Sequence, residues 1–275
     1  MKLDRILMGA TFDPPTVDAV RWVQTVLGPE AELILVHCQE KADADGPPPE
    51  ERLDALVADA APGARALTFT GDPEKVLPEQ AAEHKADLLV LGPRGTSGSG
   101  PGNTAASILA GSRIPVLVVR ESTEGPPRQI LASVDDSPVA ALVLRWTRFL
   151  TERFGAEAAA LHAVSSAHYG TVSAVSSSRG TENAMAKGME GARRWLEEQV
   201  AAAGIAAAAA TVEVREGAPG ETIVERSRDG RTDLVVMGSR GAGLLGRALL
   251  GSTAASVVAQ AHCPVFVVPA AAVED

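Results

Sequence analysis

The sequence repeats itself. An apolar run opening at Ile6-Leu7 passes a Pro-containing turn and reaches Trp22; a second, opening at Ile130-Leu131, does the same and reaches Trp146, the tryptophan standing sixteen positions after the isoleucine in both. Ala86-Asp87-Leu88-Leu89-Val90-Leu91-Gly92-Pro93-Arg94-Gly95 is echoed by Thr232-Asp233-Leu234-Val235-Val236-Met237-Gly238-Ser239-Arg240-Gly241. Gly102-Asn103-Thr104-Ala105-Ala106-Ser107 leads to Pro115-Val116-Leu117-Val118-Val119, as Gly251-Ser252-Thr253-Ala254-Ala255-Ser256 leads to Pro264-Val265-Phe266-Val267-Val268. Several matches in one order make this chain two diverged copies of one small domain. The expected boundaries are residues 1–121 and 128–275, joined by a polar linker at 122–127 with the turn formers Gly125, Pro126 and Pro127.

Within each copy, short apolar runs alternate with longer helix-like segments. In the second copy strands are expected near 128–134, 157–164, 208–215, 233–238 and 264–268, and helices near 137–154, 181–203, 219–229 and 252–261. Continuous apolar runs such as Leu234-Val235-Val236-Met237 suit strands buried on both faces of a parallel sheet. Alternating β and α elements imply right-handed crossovers and two tandem doubly wound α/β domains, each with a five-stranded parallel sheet in the order 3-2-1-4-5. In that order the last strand is an edge, and an apolar edge invites pairing. The two last strands, Pro115–Val119 and Pro264–Val268, are therefore expected to meet as an intramolecular pseudo-dimer; two chains pairing again as a homodimer is left open.

Composition narrows the function. Acidic residues outnumber basic ones by 35 to 25, a balance that argues against a nucleic-acid surface. No run of about 20 strongly apolar residues is present, which argues against a membrane span. Two cysteines, Cys38 and Cys263, fit neither a disulfide framework nor a metal spacing and read as buried apolar side chains. A cytoplasmic location is the expectation.

The most informative segment runs from Gly238 to Thr253, after the fourth strand of the second copy and into its last helix. Glycines permit φ > 0 and close approach of an anion. Ser252 is expected to cap the helix, whose N-terminus offers free N–H groups to phosphate. Carboxyl ends of strands are also where open α/β sheets bind ligands.

The spacing G-x2-G-x9-G-[S/T], here Gly238, Gly241, Gly251 and Ser252, resembles the ATP-binding motif of the universal stress protein family. Ile130-Leu131-Ala132-Ser133-Val134-Asp135-Asp136-Ser137 resembles the family's first strand, Leu161-His162-Ala163-Val164 its second and Cys263–Val268 its last, so the chain is identified as a tandem member. The resemblance implies a stress-response protein that binds an adenine nucleotide (ATP, with Mg²⁺ a possible companion) and answers to a protein partner not named by the sequence. It implies that Asp135 contacts the adenosine part, that Ser133, Val134, Ala163 and Met237 border the adenine, and that Gly238, Gly241, Gly251, Ser252 and Thr253 hold the phosphates. A carboxylate accepts from ribose hydroxyls, and backbone N–H groups neutralise phosphate without a lysine. Arg240 and Arg247 either add charge there or are solvated loop arginines.

The first copy departs from this pattern. Six residues, not nine, separate Gly95 from Gly102, Asn103 stands in place of Ser252, and Thr11 in place of Asp135. Asn103 keeps a helix cap, but the site is expected to be weak or empty.

Rival readings are weaker. Gly241-Ala242-Gly243-Leu244-Leu245-Gly246 matches a dinucleotide fingerprint but follows the fourth strand rather than the first, and no Gly-Lys-Ser or Gly-Lys-Thr loop exists. His37 and His162, equivalent in the repeat, read as packing or hydrogen-bonding residues, and Trp22 and Trp146 as core. Asp135 and Asp136 are a weak Mg²⁺ pair. The Ser-rich segment 165–180 reads as a linker, with a lid as the alternative. No nucleophile–base–orienter set is evident, so binding is favoured over slow ATP hydrolysis and over a nucleotide-free assembly scaffold.

Overall fold

The computed structural model describes residues 1–39, 46–93, 103–121, 123–165, 178–206, 210–241 and 249–273. The first copy runs β1 (Arg5–Gly9), α1 (Pro14–Trp22), β2 (Glu32–Gln39), α2 (Pro49–Ala60), β3 (Arg65–Thr70), α3 (Pro73–Glu83), β4 (Leu88–Leu91), α4 (Asn103–Gly111) and β5 (Val116–Val118). The second runs β6 (Gln129–Ser133), α5 (Ala140–Phe154), β7 (Glu157–Val164), α6 (Ser178–Ala202), β8 (Ala210–Glu216), α7 (Pro219–Arg228), β9 (Leu234–Gly238), α8 (Ser252–Gln260) and β10 (Val265–Val268).

Local chemistry explains the boundaries. Helix α5 presents Val143, Leu144, Trp146, Thr147, Leu150 and Thr151 to the core at three- and four-residue spacing, and Gly155 ends it in the left-handed region at φ 65°. Helix α1 starts where Asp13 accepts from Thr16 N and Pro14 and Pro15 hold the first turn open to helix. The repeated Asp-Leu pairs have a shared purpose. Asp87 Oδ2 accepts from the N–H groups of Asp4 and Arg5 at 2.9 and 3.0 Å, and Asp233 Oδ2 from those of Arg128 and Gln129 at 2.8 and 2.9 Å. Each carboxylate staples the start of a first strand beside a fourth.

All ten strands form one sheet in the order β3-β2-β1-β4-β5-β10-β9-β6-β7-β8. Strands are parallel within each copy, in the expected order 3-2-1-4-5, and β5 meets β10 antiparallel with Val265 opposite Val118, Phe266 opposite Leu117 and Val267 opposite Val116. The two apolar edges thus close each other. Side chains alternate across the sheet, so Ile6 and Met8 enter one apolar layer and Leu7 the other. Each layer takes residues from both copies, and Phe266, fully buried, packs against Trp146 with ring centroids 5.0 Å apart. Because the copies run antiparallel at the seam, the carboxyl ends of their strands lie at opposite ends of the sheet. Among the described residues no helix is long and apolar enough to cross a membrane.

Candidate functional site

At the carboxyl ends of β6, β7 and β9, a cavity of about 260 Å³ is lined by Ser133, Val134, Asp135, Ala163, Met237, Gly238, Arg240, Gly241, Gly251, Ser252 and Thr253, and also by His162, Pro219 and Ala254. Eleven of the twelve residues singled out in the sequence therefore share one cavity; the twelfth, Arg247, lies outside the described residues. So does segment 166–177, the linker or lid.

The loop after β9 is held at both ends by Ser239, which is 3% exposed. Its N–H donates to Val268 O at 2.8 Å, its carbonyl accepts from Gly251 N at 2.9 Å, and its hydroxyl accepts from Ala270 N at 3.0 Å. One serine thus ties the end of β9 to the end of β10 and to the start of α8. Its counterpart in the first copy is Pro93, which has no N–H for the equivalent strand-end bond.

Two expectations about this loop are corrected. Ser252 does not cap α8: it is the first helical residue, the cap position is Gly251 (φ −64°, ψ 148°), and no side chain bonds to that cap. A glycine cap leaves the first-turn N–H groups facing the cavity without a competing side-chain oxygen. Asn103 is likewise already inside α4 rather than before it. Nor do the glycines serve by positive φ. None of Gly238, Gly241 and Gly251 adopts it; what each supplies is space. A Cβ on Gly238 would lie 3.2 Å from Arg240 O, and one on Gly251 would lie 3.3 Å from both Ser239 O and Arg240 Cα.

The polar groups converge from three elements. Asp135, half-buried at the end of β6, accepts at Oδ1 from Ser137 N (3.2 Å) and from Ser137 Oγ. Asp136 is exposed and does not line the cavity, so the two acids do not act as a pair there. Arg240 is half-buried, with its Nε shielded from solvent and unpartnered among the described residues; it is not a freely solvated loop arginine. Among the described residues no group of three or more His, Cys, Asp or Glu forms a metal-holding set.

His162 was not assigned to the site from sequence. Its Nδ1–H donates to Val134 O at 2.8 Å, and His37 Nδ1–H donates to Ala10 O at 2.9 Å in the first copy. Both rings bridge the ends of neighbouring strands, the structural role expected of them. In the second copy that bridge also places the ring at the cavity wall, edge-on to Trp195 with centroids 5.1 Å apart. Pro219 and Ala254 were missed because they carry no polar signal; only the fold brings them near.

The first copy has a cavity of about 210 Å³ in the equivalent place, lined by residues including Gly9, Thr11, Thr16, Cys38, Leu77 and Thr104, with no charged side chain among the described residues that line it. Thr11 donates to Asp13 Oδ2, and Asp13 Oδ1 accepts from Thr16 N and Thr16 Oγ at 3.0 and 3.1 Å. The carboxylate and hydroxyl have exchanged places relative to Asp135 and Ser137, and here the carboxylate is engaged as the cap of α1. Cys38 is half-buried and lines this cavity, a correction to its reading as a buried residue; Cys263 is buried.

Comparison with known proteins accords with this architecture. The profile of the universal stress protein family matches twice, at residues 2–120 and 127–269. A universal stress protein of Methanocaldococcus jannaschii is 50% identical over 56 residues, 20% of this chain and 33% of that protein. One of Thermus aquaticus is 37% identical over 87 residues, 32% of this chain and 62% of that protein. The matches thus span less than two thirds of these relatives. Among solved structures, a universal stress protein from Archaeoglobus fulgidus DSM 4304 superposes with a TM-score of 0.66 at 19% identity, covering 98% of this chain and 99% of that one. A functionally unknown protein from Pseudomonas aeruginosa PAO1 superposes with a TM-score of 0.67 at 16% identity, covering 98% and 94%. At these identities the superpositions speak to the fold alone.

Proposed function

The chain belongs to the universal stress protein family, with one family domain in each half, and from that premise we propose that it is a cytoplasmic ATP-binding protein of the stress response whose nucleotide sits in the second domain. The observation that carries the reading is convergence. A carboxylate from β6, a shielded arginine from the loop and the uncapped start of nine-residue α8 all border one cavity. A helix N-terminus favours an anion through its free N–H groups and its dipole. A carboxylate repels phosphate and suits the hydroxyls of a sugar, and an adenine nucleotide presents both kinds of group.

In this reading Asp135 accepts from the ribose, and Ser133, Val134, Ala163 and Met237 border the base. Gly238, Gly241, Gly251, Ser252 and Thr253 hold the phosphates, with Arg240 and Arg247 adding charge. Mg²⁺ enters only with the phosphates. Among the described residues that line its cavity the first domain offers no carboxylate, and it is assigned no nucleotide; bound ATP would then bias the protein toward or away from a partner.

Native mass spectrometry of the whole chain incubated with Mg-ATP tests this directly. One ATP per chain is expected, abolished in Gly251→Val and weakened in Asp135→Ala. No binding, or two nucleotides per chain, would reject the assignment. Phosphate release from the same samples separates holding from slow hydrolysis.

A further inference from the structure

Resting on the ATP reading, we propose that Ser137 and Gly241 are positioning residues for Asp135, and that residue 241 lacks a side chain because of this carboxylate, while its backbone remains with the phosphates. Asp135 Oδ1 is held by two donors of Ser137, its N–H and its hydroxyl, and Ser137 is only 7% exposed. With Oδ1 fixed, Oδ2 is directed at the loop. A Cβ built on Gly241 would lie 2.8 Å from that oxygen, and among the described residues outside its chain neighbours no other atom lies within 4 Å of it. Real Cβ atoms do not approach so closely, so a side chain at 241 requires a shift, and the atom it meets is the free oxygen of this carboxylate. A carboxylate that shifts is drawn away from its two Ser137 donors.

Gly241 does not adopt positive φ, so the left-handed region is not what asks for glycine here. Among the described residues, then, the demand for glycine is space beside Asp135. The consequence is a link between two parts of the site: the residue at the base of the phosphate loop also sets where the ribose carboxylate stands. The first copy does not bear on this demand, since Gly95 holds the position of Gly241 although no carboxylate stands at the strand end. There the strand-end residue is Thr11, the hydroxyl–carboxylate pair is reversed, and the carboxylate of Asp13 serves α1 instead.

A double-mutant cycle with two probes tests the proposal. Affinities for ATP and for 2′,3′-dideoxy-ATP, which lacks both ribose hydroxyls, are measured for the wild type, Gly241→Ala, Asp135→Ala, the double variant, Ser137→Ala and Ser137→Thr. Gly241→Ala and Ser137→Ala should each weaken ATP by about tenfold, the scale of one hydrogen bond to a charged group. Both should leave the dideoxy analogue within about twofold, Ser137→Thr should retain ATP affinity, and Gly241→Ala should have little further effect once Asp135 is alanine. If Gly241→Ala weakens both nucleotides equally, or costs the same with and without Asp135, the missing side chain serves the phosphates and the proposal fails. A wild type that binds no ATP would instead overturn the functional reading beneath it. Thermal melting checks each variant's fold, and if Gly241→Ala does not fold, the Ser137 pair decides the matter.

Discussion

Asp13 and Asp135 sit two residues apart in equivalent strand-to-helix turns, and that small offset gives them different work. Asp13 caps α1, so Asp13→Ala should lower stability by about 1 kcal/mol in a urea titration and leave ATP affinity unchanged. Arg226 shows how far a single charge can be built into the second domain. It is 6% exposed and bonds Glu213, Asp229 and Thr232. Removing one member of a buried ion pair costs about 3–5 kcal/mol, at the upper end only where both partners are dry; Glu213 and Asp229 keep some solvent, so Arg226→Ala should fall near the lower end. The thiols give a pH dependence. Burial pushes Cys38 up to about 11 and Cys263 up to about 12 from 9.0. Above pH 9 the unfolded chain's thiols ionise while the folded ones stay protonated, so the unfolded state gains and stability falls as pH rises toward 11. Denaturant titrations between pH 8 and 10.5 should show that fall, and Cys38→Ala with Cys263→Ala should flatten it.

At the scale of elements, Ser239 is what fastens the described ends of the loop between β9 and α8, through its three bonds to Val268, Ala270 and Gly251. Replacing Ser239 with proline, the residue of the first copy, removes both the N–H and the hydroxyl. Isothermal titration should then show ATP affinity falling by more than about tenfold, since more than one bond that orders the loop is lost. An unchanged affinity would mean that the loop orders itself.

The molecule as a whole is one sheet with two apolar layers, each drawing on both domains. The halves should therefore unfold together, as a single calorimetric transition. Phe266 stands opposite Leu117 at the seam and against Trp146, so a change there acts at the junction of the halves. Phe266→Ala should cost about 3–5 kcal/mol and, if the seam is what couples the domains, should broaden or split that transition. The crevices open at opposite ends of the sheet, so any influence of one on the other must cross between the halves, through the β5–β10 seam, the shared apolar layers or bonds such as Arg153 Nε–H to Leu27 O.

Much of this was legible in the chain. The repeat and the unbroken apolar runs determined two doubly wound domains, because strands buried on both faces carry no polar residues. Apolar last strands determined the pairing of edges, since an unpaired apolar edge is costly in water. Residues of the site could be picked out where a motif held them together over Gly238–Thr253, and where Asp135 stood at a strand end. What the sequence could not settle was contact across the fold. Gly251 rather than Ser252 at the cap, His162 bridging to Val134, the shielded Nε of Arg240 and Asp135 lying against Gly241 all join residues from separate strands or depend on one residue of helical phase. Pattern determines which face a side chain takes; only packing in three dimensions decides which atoms meet there.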